Sequence, residues 1–177
     1  MEEIEVPTEH LHEHIHEAAE HSEGGWVLKV ALSSALLAVL AAIASLLAGH
    51  HANEAMIEQL KASDQWAYYQ AKGIKSSVLE SREAILEAQG KPADPKVAVK
   101  IEDYKKEQKE IDEKAKELQI SSETHLKIHS GLAKSVTFFQ IAIALSAISA
   151  LTRRRWLFQG SLGVGLVGTV FLVLGVL

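Results

Sequence analysis

ALSSALLAVLAAIASLLAGHHANEAMIEQL, residues 31–60, begins as an uncharged apolar run and ends as a charged helical pattern, with no proline between the two. Ala31–Gly49 carries no charge, and at ~1.5 Å rise per residue such a block matches the ~30 Å hydrocarbon layer of a bilayer. Two further blocks share this property, Ser135–Leu151 and Trp156–Leu177. The reading is therefore an all-α integral membrane protein with transmembrane helices at 26–49, 135–152 and 156–177. A long antiparallel helical hairpin, coiled-coil-like, is expected at 50–134 between the first two. An arm at 1–25 precedes the spans, and a short basic loop at 153–155 joins the last two.

The hairpin follows from a 3–4 count. Ile57, Leu60, Asp64, Ala67, Ala71, Ile74, Val78, Ser81, Ile85 and Ala88 keep it on one side of GKPADP at 90–95. Val97, Ile101, Tyr104, Gln108, Ile111, Ala115, Leu118, Ser122, His125, His129 and Leu132 keep it on the other. Glycine and two prolines between two heptad seams predict a turn joining two antiparallel arms of roughly 60 Å each. Counting back from that turn sets Asp64 close to the level of Ser122 and His125. The 14 basic and 15 acidic residues of 50–134 nearly cancel and are interleaved, which leaves no basic face for nucleic acid.

The spans carry small residues at helical spacing. In the first, Ala31, Ala35, Ala38, Ala42, Ser45 and Gly49 form one stripe, and Ser34, Ala38, Ala41, Ser45 and Ala48 an adjacent one. In the third, Ser161, Gly165, Gly168 and Gly175 share a face. Small side chains let helix backbones approach closely in lipid, so Ala38, Ala42, Ser45, Gly165 and Gly168 are expected to mediate helix packing. Packing among the three spans of one chain can consume both stripes.

Residues 1–25 hold eight carboxylates and no Lys or Arg, unlike the basic start of a secretory signal, so the first apolar block is read as a retained span. The Arg153–Arg155 cluster favours the cytoplasm, placing the N-terminus inside and the hairpin on the periplasmic or external side.

Two histidine groups are candidates for metal or proton chemistry. His10, His12, His14, His16 and His21 lie in the arm, where His10/His14 and His12/His16 are i,i+4 pairs. A solvated arm whose charge changes near neutrality is the simpler account. His50 follows the first span and His125 and His129 precede the second, so with Glu54 they form a candidate metal site beside the membrane. Polar layers that set helix register explain the same residues, as does a pH-sensitive contact between Asp64 and His125. The chain has no cysteine, no phosphate-binding glycine loop, no HExxH and no nucleophile elbow; no enzyme activity and no cofactor are expected.

SDQWAYYQAK at 63–72 stands apart, because a heptad helix has no need of Trp66, Tyr68 and Tyr69 together. This segment after an alanine-rich span, with the acidic arm, the charged helical middle and two closing spans, resembles a bacterial membrane-protein family known as domain of unknown function 4337. The resemblance covers nearly the whole chain, and the aromatic segment is its one specific motif. It implies that Asp64, Gln65, Trp66, Tyr68, Tyr69 and Lys72 form a shared interaction surface, and it brings no catalytic role. The expected function is a homo-oligomeric, non-enzymatic protein of the bacterial inner membrane whose hairpin scaffolds or contacts a protein partner. A multi-subunit channel is one alternative, with Gln140 the main polar group inside the spans. A metal- or pH-responsive sensor is the other.

Overall fold

The computed structural model describes residues 25–176, and the histidines of the arm lie outside them. Three helices account for nearly all of it: α1 Gly25–Ala88, α2 Pro95–Thr152 and α3 Arg155–Val176. All three are long and apolar enough to cross a membrane. Among the described residues there is no strand. Contacts divide the chain into two units, one holding the described residues up to Ala52 together with those from Leu126 onward, the other Asn53–His125.

In the first unit, Leu37, Ala41 and Ala44 of α1 pack with Phe139, Ala142 and Ile143 of α2 in one buried cluster. The small face of α3 closes it. A Cβ at Gly165 would sit 2.8 Å from Leu37 Cδ2, at Gly168 2.9 Å from Phe139 Cδ1, and at Gly175 2.9 Å from Leu132 Cδ2. The least yielding fit is at Gly168, against a buried aromatic ring, whereas at Gly165 and Gly175 the facing atoms belong to leucine side chains. Hydroxyls supply the polar contacts here: Ser135 donates to the Gly168 carbonyl at 2.8 Å and Ser161 to that of Ala142 at 2.9 Å. Ser146 and Ser161 share a 2.6 Å hydrogen bond. Of the small residues expected on α1, Ala31, Ser34, Ala41 and Ala48 are buried, and Ala38 packs against the cluster. Ser45 is half-buried, whereas Ala42 and Gly49 are exposed.

In the second unit, the N-terminal part of α2 runs antiparallel to the C-terminal part of α1. The turn between them is specified by few residues. Gly90 has φ +71°, and the Gly90 and Lys91 amides donate to the carbonyls of Glu87 and Leu86, both at 2.9 Å. This is the Schellman ending that a left-handed glycine permits. Asp94 then caps α2, its Oδ1 accepting from the Lys96 amide at 3.0 Å, with Pro95 at the first helical position.

The α2 seam is the expected one. Val97, Ile111, Ala115 and Ser122 are buried, and Ile101, Tyr104, Gln108, Leu118 and His125 are half-buried. The α1 seam is not, and the expectation is corrected by two residues. Its covered positions are Ala55, Glu58, Ala62, Gln65, Tyr69, Lys72, Ser76, Leu79, Glu83 and Leu86, again in a 3–4 count. Ile57, Leu60, Ile74, Val78 and Ile85 are exposed instead.

Close backbone approach is the reason. Ser122 Oγ donates to the Ala55 carbonyl at 2.7 Å and Gln108 Nε2 to that of Tyr69 at 3.2 Å. A Cβ at Gly73 would lie 2.8 Å from Gln108 Nε2. Side chains that bond to the facing backbone need small neighbours, and α1 offers them at 55, 62 and 73. In this register Asp64 is exposed and lies nearer the turn than Ser122 and His125, which removes the expected Asp64–His125 contact. His125 faces Glu58 instead, with Nε2 at 4.0 Å from Oε2, and Ser121 Oγ donates to Glu58 Oε1 at 2.9 Å.

Ser76 is buried and its Oγ has no partner. A buried unsatisfied hydroxyl is unfavourable, so Ser76→Ala is expected to raise stability by about 1 kcal/mol. The thermal midpoint of the detergent-solubilised chain measures this.

Candidate functional site

The aromatic segment builds its surroundings around Lys72. Tyr68 and Lys72 are four positions apart, which places them on neighbouring turns of the same face of α1. Tyr104 and Glu107, one turn apart on α2, meet them from the other arm. Lys72 is only 9 % exposed. Its Nζ lies 5.1 Å from the Tyr68 ring centroid and 5.0 Å from that of Tyr104, and it forms an ion pair with Glu107. The ammonium is therefore held between two aromatic faces with a carboxylate at its head.

The hydrogen bond that Lys72 donates to Glu107 raises its pKa above the ordinary 10.5; burial opposes this, and Tyr68 adds to it. The same direction holds on α2 itself, where Lys116 is raised chiefly by its 2.7 Å hydrogen bond to Asp112.

A sign follows for pH dependence. With the folded value above the unfolded one, the stabilisation from Lys72 is complete below about pH 10.5 and is lost as pH rises through the folded value. The helical melting midpoint is expected to hold from pH 7 to about 10 and to fall beyond, and Lys72→Met should show a smaller fall. Circular dichroism of the whole chain reads it.

The other residues of the segment divide by helix face. Trp66 is half-buried and meets Tyr69 edge-on, with centroids 5.7 Å apart. Gln65 is half-buried on the seam, Asp64 is exposed, and half of Tyr68 is exposed. Thus Lys72 and Tyr69 serve the join between the arms, while Tyr68 and Asp64 are exposed and Trp66 is half-buried. Glu107 was not singled out from the sequence; its i,i+3 spacing from the seam residue Tyr104 was the available signal.

Beside this cluster, Tyr69, Gly73, Ile74, Val78, Ile85 and Gln108 line an apolar groove of about 700 Å³ along α1. It exists because Gly73 has no side chain and because the large apolar residues of α1 point outward.

The histidine candidates are held in separate local contacts. In the first unit, His129 Nδ1 is 2.9 Å from the Ala48 carbonyl and the His50 ring meets that of His51 edge-on at 5.4 Å. In the second, His125 faces Glu58, and Glu54 is half-buried. Among the described residues no three His, Asp or Glu side chains are gathered as a metal ion requires.

No curated protein and no solved structure matches the chain. A family model does, described as a domain of unknown function (DUF4337), over residues 26–177. That match spans the three helices and the whole aromatic segment, and the chain belongs to this family.

Proposed function

We propose that this is a non-enzymatic protein of the bacterial inner membrane that assembles into a homo-oligomer and uses its hairpin as a contact surface for scaffolding. The N-terminus is cytoplasmic and the hairpin external, because the Arg153–Arg155 link carries the cluster that stays inside. One observation supports the reading above the others. The hairpin keeps Lys72, Ser76, Glu58 and Ser122 on its covered seam and leaves Ile74, Val78 and Ile85 in the open, each 59 % exposed or more. A water-facing helix that inverts polarity in this way has an outer face suited to another surface.

The test is the mass of the protein in detergent or lipid discs, by light scattering with the detergent contribution removed. A defined multimer is expected, weakened by Ile74→Glu on the exposed face. A monodisperse monomer at every concentration would sink the proposal.

A further inference from the structure

The outer face of α1 is a second helix seam. Ile57, Leu60, Ile74, Val78 and Ile85 keep the 3–4 count on the side opposite the one packed on α2, and all five are exposed. Over 57–88 that count runs for about 47 Å of helix, which only another helix of similar length can match. The hairpin part of α2 offers no such face: its exposed large apolar residues Val99 and Ile120 stand 21 residues apart, and every residue that keeps the count between them is charged.

Resting on the proposed homo-oligomer, we propose that the occupant of this face is the same face of a second copy, with the two α1 helices parallel and in register. Two features favour this arrangement. First, α1 is one continuous helix, Gly25–Ala88, and its apolar part comes first. Copies inserted the same way in one bilayer therefore begin their seams at the same level and run in the same direction.

Second, the flanking charges fit parallel pairing. On one edge of the seam stand Lys61, Lys75 and Arg82; on the other stand Met56, Ser63, Gln70 and Ser77, none of them charged. A parallel pair sets each basic edge against the neutral edge of its partner. An antiparallel pair would set the basic edges against each other. The groove beside Gly73 then receives side chains from the second copy at the Ile74 and Val78 layers. Asp64 is the one charged layer of the seam, between Leu60 and Ala67.

The chain lacks cysteine, so single-cysteine variants report this contact cleanly. The full-length protein in native membranes is mildly oxidised after Ile74→Cys, Val78→Cys or Ile85→Cys, with Lys100→Cys and Glu110→Cys as exposed controls on α2. Disulfide-linked dimers are expected at the three seam positions, at least tenfold above the controls. Val78→Glu in the Ile74→Cys chain should abolish the product.

Efficient linkage at the α2 controls, or between Ile74→Cys and Ile85→Cys chains in preference to like pairs, overturns the parallel seam while the homo-oligomer stands. Seam cysteines that capture a different protein overturn it too. A chain that is monomeric by mass and unlinked at every position overturns both.

Discussion

Gly168→Leu is expected to cost about 3 kcal/mol of stability, whereas Gly163→Leu on the same helix should be close to neutral. At position 168 a Cβ meets the Phe139 ring at 2.9 and 3.0 Å and Phe138 Cβ at 3.3 Å; at 163 it meets nothing within 4 Å. Phe139 is fully buried and its backbone belongs to the central helix, so neither it nor the helix can yield cheaply. Pushing α3 outward also breaks the bond from Ser135 to the Gly168 carbonyl, exposing an unpaired hydroxyl to an apolar core. In a hydrocarbon setting the apolar residues gain nothing by leaving lipid, so shape and these few hydroxyl bonds hold the helices together. Thermal unfolding of the two variants in one detergent checks the contrast.

The second large effect reverses ordinary heptad logic. Leucine normally strengthens a helix seam, yet Ala62→Leu is expected to destabilise the hairpin by about 1–3 kcal/mol. Ala62 and Ala115 are both almost fully buried. They lie midway between the Ser122–Ala55 and Gln108–Tyr69 hydrogen bonds, both of which need the helix backbones near each other. Added bulk there separates the arms and stretches both bonds. Val78→Gln changes a residue that is 62 % exposed, and should alter the stability of a single chain by less than about 0.5 kcal/mol. Hydrogen exchange over 53–125, measured on the whole protein, distinguishes the two. Equal losses at both sites would contradict the observed α1 face.

This pair of variants also marks where the sequence was readable. The three apolar helices, the turn at Gly90 and Pro95, and the glycine face of α3 follow from strong local signals: the length of an uncharged run, a left-handed glycine and repeated small residues. The α2 seam was legible because its apolar residues and its packed face coincide. On α1 they do not. A search for large apolar residues at heptad spacing finds Ile74 and Val78, while the packed face is chosen by Ala55, Ala62 and Gly73, whose smallness matters only once Ser122 and Gln108 stand opposite.

The same limit applies to the aromatic segment. Its odd composition marked it as special, but the division of labour between Lys72, which joins the arms, and Tyr68, which looks outward, depends on Tyr104 and Glu107 from the other helix. Likewise, two of the six residues in the first α1 small stripe were misleading. Ala42 and Gly49 keep the spacing yet face away, because the buried line is set by its neighbours Ala41 and Ala48.

The contact between Leu37 and Gly165 has a consequence for how the protein is made. These residues touch in the finished core, but more than a hundred others are polymerised between them. At ~5–20 residues per second, α1 waits roughly 6–25 s after Leu37 is added before Gly165 exists to receive it. During that interval its packing face has no native neighbour on α3, whereas α2 and α3 are separated by only Arg153 and Arg154 and can pair almost as soon as both are made. Assembly therefore ends with the youngest helix closing on the oldest, and the ribosome's pace sets how long the nascent chain stays open.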